Sequence, residues 1–248
     1  MEYKFYENQA EEVKDTSSSK FMAKVFGYMF IGLLITAVVS FGWNFIMQHI
    51  CYDTNGILTE NGSKIVLGTA IASMIGMLII SLLISVLSAV RQKAPWFGFI
   101  LYAIFVGLAL TIFLFCGISV VTFAEAFGIT SLAFGSMFLI GYFTKTKHNW
   151  FTLVACGLGI AILLTSIFWG IFYLVSPKTG YLLDWGISIA IIVFSMIIVA
   201  ADAYNIKRIE DKAPENNNLA LFCAFNIYCD FIMIFIRILA LLTRSSKR

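Results

Sequence analysis

Five ionisable side chains stand inside long apolar runs: Glu125, Asp184, Asp202, Asp230 and Arg237, with Arg91 closing another run. An ionisable group within a membrane span is costly and marks ion paths, proton relays or counter-ion sites. Asp184 and Arg91 also read as interfacial groups, and Arg237 as a side chain whose head reaches the headgroups along its own stem. Asp230 fits neither reading, because it lies near the middle of its run. At about 100° per residue, Asn226, Asp230 and Arg237 fall within about 40° of one another on one helix face. Such a polar stripe must face protein or water rather than lipid, which predicts a buried place for the helix that carries it. Glu125, Asn226 and Arg237 are the candidates for lining a pore. Glu125 reads equally as a group near the outer end of its helix that touches water.

Asp202 precedes the basic pair Lys207-Arg208 by a few residues, so it belongs to the same end of its helix as that pair. The loop that follows brings the last helix back from the same side, which lets Asp202 and Asp230 approach. With a rise of about 1.5 Å per residue, Asp230 comes out roughly a turn or two deeper. The gap closes only if the last helix starts outside the membrane or tilts.

The elements that must hold these groups are membrane helices. Sixty per cent of the 248 residues are apolar and 12% are charged, against nearly half and a quarter in soluble domains. A bilayer core of about 30 Å takes roughly 20 apolar residues to cross, and the chain supplies seven such stretches. They run about 22–47, 65–90, two between 96 and 143, 150–175, 182–206 and 219–243, with Cys116-Gly117 as the tight turn between the third and fourth. The expected organisation is a polar, mobile tail over 1–20, a transmembrane domain over 21–243 and a basic tail over 244–248. The fold class is all-α, a polytopic membrane bundle. The first run is too long for a signal-peptide core and no small-x-small cleavage site follows it.

Basic residues set the orientation. With the N-terminus inside, Lys4, Lys14, Lys20 and Lys24 at the N-terminal end, Arg91 and Lys93, Lys145 and Lys147, and Lys207, Arg208 and Lys212 give eleven on the inner side. Lys64 and Lys178 are the two outside, and the positive-inside rule therefore predicts a cytoplasmic N-terminus. Arg244, Lys247 and Arg248 break the pattern. Either the last helix crosses despite them, or it re-enters and returns.

Several functions lack their residues. The net charge of +3 is spread between apolar runs rather than gathered in a patch, so no nucleic-acid partner is expected. Cysteines 51, 116, 156, 223 and 229 have no metal-like spacing, and four lie in apolar runs as small packing residues. His49 and His148, both in loops, cannot furnish an intramembrane zinc site. Gly117-Ile118-Ser119-Val120 is not a serine-protease Gly-x-Ser-Gly element. The Gly-x-Gly-Asp context of an intramembrane aspartyl protease is absent at Asp202 and Asp230. The chain is expected not to be an enzyme.

From residue 21 onward the chain resembles the Bax inhibitor family, the transmembrane Bax-inhibitor-motif proteins, and especially their bacterial branch. The resemblance begins at Phe21-Met22-Ala23-Lys24-Val25-Phe26-Gly27-Tyr28-Met29, followed by Gly32-Leu33 and Thr36-Ala37. It continues at Ser88-Ala89-Val90-Arg91-Gln92-Lys93 and from Phe127-Gly128-Ile129-Thr130 to Gly141-Tyr142-Phe143-Thr144-Lys145. Ala201-Asp202-Ala203-Tyr204-Asn205-Ile206-Lys207 is similar to its Asp-Thr-Gln-x-Ile-Lys element, and Ile227-Tyr228-Cys229-Asp230-Phe231-Ile232 to its Leu-Tyr-Leu-Asp-Phe-Ile signature. Tyr204 and Cys229 depart from the pattern and leave the aspartates untouched. No piece is specific alone, but their order and spacing together are.

The resemblance implies seven helices, six around a central last one, and a pH-sensitive cation leak studied mostly with calcium. It implies that Asp202 and Asp230 pair as the gating and calcium-contacting site, and that Arg91 latches Asp202 when it is ionised. Two carboxyls sharing a dry site cannot both ionise cheaply, so such a pair holds a proton and titrates as a unit. Calcium would be the transported ion, with no resident cofactor. The rival reading is a non-conducting regulator that binds membrane proteases or cell-death proteins.

Overall fold

The computed structural model describes residues 2–53, 58–91, 96–144, 177–212 and 216–246, with side chains for 20–53, 58–87, 96–144, 186–210 and 216–243. The expected fifth span, about 150–175, and the basic turn at 145–149 lie outside the described residues. Six helices are described: α1 (Glu2–Cys51), α2 (Glu60–Arg91), α3 (Trp96–Phe115), α4 (Val120–Phe143), α5 (Pro177–Lys212) and α6 (Asn217–Ser246). Each contains an apolar stretch of 20 to 32 residues, long enough to cross a bilayer. Among the described residues there is no strand beyond an isolated bridge between Tyr52 and Leu58.

Two boundaries differ from expectation. Residues 2–19 continue α1 as helix where the sequence reads as a mobile tail; the segment contains neither proline nor glycine to stop a helix. The polar stretch read as a loop from Lys207 to Asn218 is mostly helix, because α5 runs on to Lys212 and α6 starts at Asn217. The last helix is a single unbroken element of 30 residues. A helix that re-entered and returned would need a break, and α6 has none.

The chain divides into two compact units, Met1–Ser119 with Ile209–Tyr228, and Val120–Arg208 with Cys229–Arg248. In the first, α1 and α3 lie parallel, because Gly32 meets Phe99, Thr36 meets Ala103 and Ser40 meets Thr111 in ascending order. Small residues four apart make this contact: Gly32, Thr36 and Ser40 face Ala103, Gly107 and Thr111. Within a membrane, close backbone approach and hydroxyl hydrogen bonds replace the hydrophobic drive that lipid removes. A Cβ on Gly107 would lie 2.9 Å from the Thr36 carbonyl oxygen. Thr111 Oγ1 donates to the Ser40 carbonyl at 3.1 Å.

The ends of these helices are capped as their sequences dictate. Thr59 accepts the Gly62 N–H at 3.0 Å and starts α2, while a Cβ on Gly62 would collide with the Cys51 carbonyl of α1. At the end of α3, Gly117 adopts φ +84°, with Ile118 N–H bonded to Phe113 O and Gly117 N–H to Leu114 O. This is the Schellman arrangement, and it sets the Cys116-Gly117 turn where the sequence predicts it. Asn216 caps α6, its Oδ1 accepting from Asn218 N at 3.0 Å and Leu219 N at 3.2 Å.

In the second unit, α4 presents Phe123, Phe127 and Phe134 to Phe231 and Phe235 of α6, with ring centroids 4.9 to 6.4 Å apart. These pairs are edge-to-face or tilted, the arrangement the ring quadrupoles prefer. Against α5, α4 comes to backbone contact, since a Cβ on Gly141 would collide with the Ala200 carbonyl and lie 2.6 Å from its Cα. One residue on, Lys207 Nζ donates to the Tyr142 carbonyl at 3.0 Å and sits 4.8 Å from the Tyr142 ring centroid. A cation on a carbonyl of the last turn of α4 suits the negative end of that helix.

Candidate functional site

The site is built on the contact of α5 with α6. Small residues Ala200, Ala201 and Ala203 flank Asp202 and are buried. Gly141 admits this stretch of α5 to the backbone of α4. Asp230, on α6, is 8% exposed. The carboxyl groups of Asp202 and Asp230 face one another across this contact. Two carboxylates have no donor between them, so a hydrogen bond between the two requires one carboxyl to carry a proton. Oδ2 of Asp230 is buried and has no N–H or hydroxyl donor among the described residues. A buried carboxyl oxygen without a partner is costly, and a structure that keeps one needs a further ligand or a function to explain it.

The depth mismatch that the sequence implies disappears with the helix boundaries. Asp202 lies 10 residues before the end of α5, and Asp230 lies 13 after the start of α6. The difference of three residues is about 4.5 Å, less than one turn. The error came from ending α5 at its first basic residue, although helix continues beyond the apolar stretch.

The other sequence candidates fall into three groups. Asn226 and Arg237 are half-buried on α6 and share its polar stripe with Asp230. Glu125 is exposed in the second turn of α4. Arg91 is the last residue of α2, and its side chain, like that of Asp184, lies outside the described side chains. Among the described residues no third acidic, histidine or cysteine side chain joins the aspartates in a metal-holding group.

Two features escaped the sequence reading. Glu210 is 2% exposed, although Lys207-Arg208-Ile209-Glu210-Asp211-Lys212 looks like a solvated charge run. Its burial was legible only by carrying the helical period of α5 past the basic pair. In the first unit, Thr36 Oγ1 lies 2.5 Å from Tyr228 Oη, and also reaches the carbonyls of Gly32 (2.9 Å) and Ala103 (3.2 Å). Tyr228 is fully buried, with its ring against those of Phe99 and Tyr102. The small-residue spacing at 32, 36 and 40 was the available signal.

Six apolar spans among the described residues, with two carboxyls meeting between a pair of them, define a polytopic α-helical membrane protein with ionisable groups inside its helices. Comparison with known proteins agrees. The family described as "Inhibitor of apoptosis-promoting Bax1" matches residues 18–247. The chain is 30% identical over 232 residues to the inner membrane protein YbhL of Escherichia coli K12, covering 88% of this chain and 89% of that one. It is 28% identical over 239 residues to an uncharacterized protein of Borreliella burgdorferi, covering 90% and 91%. This chain belongs to the Bax inhibitor family.

Proposed function

We propose that this protein is a pH-sensitive cation leak channel, with calcium as a transported ion and the Asp202–Asp230 pair as its gate. The observation that carries the reading is the pair itself: two carboxyls meeting within membrane spans, with Asp230 Oδ2 buried and without an N–H or hydroxyl donor among the described residues. A stable calcium site gathers six to eight oxygens. A pair of carboxyls is too sparse for that, which suits a site that an ion must enter and leave. With one proton the pair carries a single negative charge, and with two it is neutral. Arg91, in the role the family resemblance gives it, attracts the first state and not the second, so acid favours the open form. The reading is non-catalytic and needs no cofactor.

We place a further span at about 150–175 and α6 at the centre of a seven-helix bundle. In support, 67% of the apolar stretch of α6 is buried, against 44% or less in every other described span. The N-terminus is assigned to the cytoplasm of a cell inner membrane, from the eleven-to-two distribution of basic residues and the name of the YbhL relative. A cysteine placed at Lys147 should be shielded from an impermeant thiol reagent in intact cells. Labelling from outside would reverse the topology.

The second reading, a regulator that binds other membrane proteins without conducting, separates from the first in one assay. Liposomes containing only the purified protein should release trapped calcium faster than protein-free liposomes, and more so in acid. Equal release at every pH would leave the regulator.

A further inference from the structure

The polar face of α6 has a counterpart on α5 that is hidden among apolar residues. Ser188, Ser195 and Asp202 recur every seven positions, so they drift only about 40° around the helix. Both serines are buried, at 2% and 1% exposed. Their contacts show what this stripe faces: Asp202 meets Asp230, and Ser195 Oγ meets Met233 Sδ at 3.2 Å. The two helices are antiparallel here, since a step back along α5 matches a step forward along α6. Seven residues from Asp202 to Ser195, and seven from Asp230 to Arg237, are each about 10 Å of rise. Arg237 therefore stands on the same polar seam as the carboxyl pair, displaced toward the Thr243 end of the span. It is half-buried and makes no hydrogen bond or ion pair among the described residues. Six residues, about 9 Å, still separate it from the end of that span.

We propose that Arg237 is the charge filter of the pathway, a fixed positive charge that cations must pass on the Thr243 side of the gate. This inference rests on the cation-leak reading above. Repulsion by a fixed charge scales with the charge of the ion. At about 10 Å and an effective dielectric of about 20, one positive charge lowers occupancy by a monovalent cation roughly tenfold, and by a divalent one roughly a hundredfold. The filter therefore keeps the flux small and holds divalent ions back more than monovalent ones. A seam with a carboxyl pair at one level and a guanidinium at the next conducts as a leak rather than as a wide pore.

The test is flux of potassium and of calcium, measured separately in liposomes at one acidic pH, for wild type, Arg237→Gln and Arg237→Lys. Trapped carboxyfluorescein reports general leakiness, and gel filtration in detergent reports folding. Arg237→Gln should raise potassium flux several-fold and calcium flux by a clearly larger factor, with the dye retained. Arg237→Lys keeps the charge and should stay within about twofold of wild type for both ions. If both variants match wild type in both fluxes, Arg237 lies off the path and the inference falls while the leak stands. Equal gains for both ions, or dye release, would mean loosened packing and also overturn it. A wild type that passes neither ion removes the leak reading, and the filter with it. If Arg237→Gln does not fold, the calcium-to-potassium ratio of Arg237→Lys against Arg237→Met decides the matter by the same criterion.

Discussion

Asp202 on α5 and Asp230 on α6 bring their carboxyl groups together, and Asp230 is 8% exposed within a span of 27 residues. A hydrogen bond between two carboxyls needs a proton that water would otherwise take as pH rises. On the proposed reading, the contact between α5 and α6 at this level responds to proton concentration.

Gly141→Ala should destabilise the protein. The added Cβ meets the Ala200 backbone, which has no rotamer to move aside. Overpacking of this kind costs about 1–3 kcal/mol. Gly135→Ala, on the same helix, adds a Cβ with nothing within 4 Å and should be neutral or slightly stabilising, since alanine is the better helix former. Thermal unfolding in detergent measures both. Equal midpoints for the two variants would mean that α4 and α5 are not in backbone contact at Gly141.

The buried hydroxyls in the first unit predict an asymmetry. Tyr228→Phe leaves Thr36 Oγ1 with the Gly32 and Ala103 carbonyls, and should cost about 0.5–1.5 kcal/mol. Thr36→Val removes the same 2.5 Å contact together with the Thr36 hydroxyl's contacts to the Gly32 and Ala103 carbonyls, and should cost more, about 1–3 kcal/mol. The double variant should lose less than the sum of the two. Additive losses in the same unfolding assay would mean that the hydroxyls do not act as a pair.

Much of this architecture was legible before any coordinates. Span existence, the turn at Cys116-Gly117 and the polar stripe of Asn226, Asp230 and Arg237 follow from apolar run length, glycine chemistry and helical period. Helix ends were harder, because a helix can leave the apolar layer and continue through charged residues, as α5 does from Lys207 to Lys212. That error hid Glu210 and created the false depth gap between the aspartates. The seam of Ser188 and Ser195 was missed because a buried serine reads as a neutral member of an apolar run. Which helices touch is not encoded in period at all; Gly141 against Ala200 is a shape relation between two distant positions.

The Arg91 latch is carried from the family resemblance, and its prediction is kinetic. Arg91→Ala should raise the leak at alkaline pH, where the wild type is closed, and flatten the pH dependence. Arg91→Lys keeps the charge but loses the bidentate fork, so it should retain part of the closure. Calcium flux from liposomes across about pH 6 to 8 compares the three. An Arg91→Ala leak that stays as low as wild type at the alkaline end would return Arg91 to the role of a positive-inside anchor.

The most direct measurement is calcium flux from liposomes as a function of pH for wild type and Asp230→Asn, with folding of both checked by gel filtration. Asparagine keeps the shape of the side chain and can still donate to Asp202, but it cannot take up or release a proton in this range. The account predicts that wild-type flux rises as pH falls, while Asp230→Asn is folded and its flux no longer responds to pH. A folded Asp230→Asn with the wild-type pH profile would contradict it, and would reduce the carboxyl pair to a packing contact.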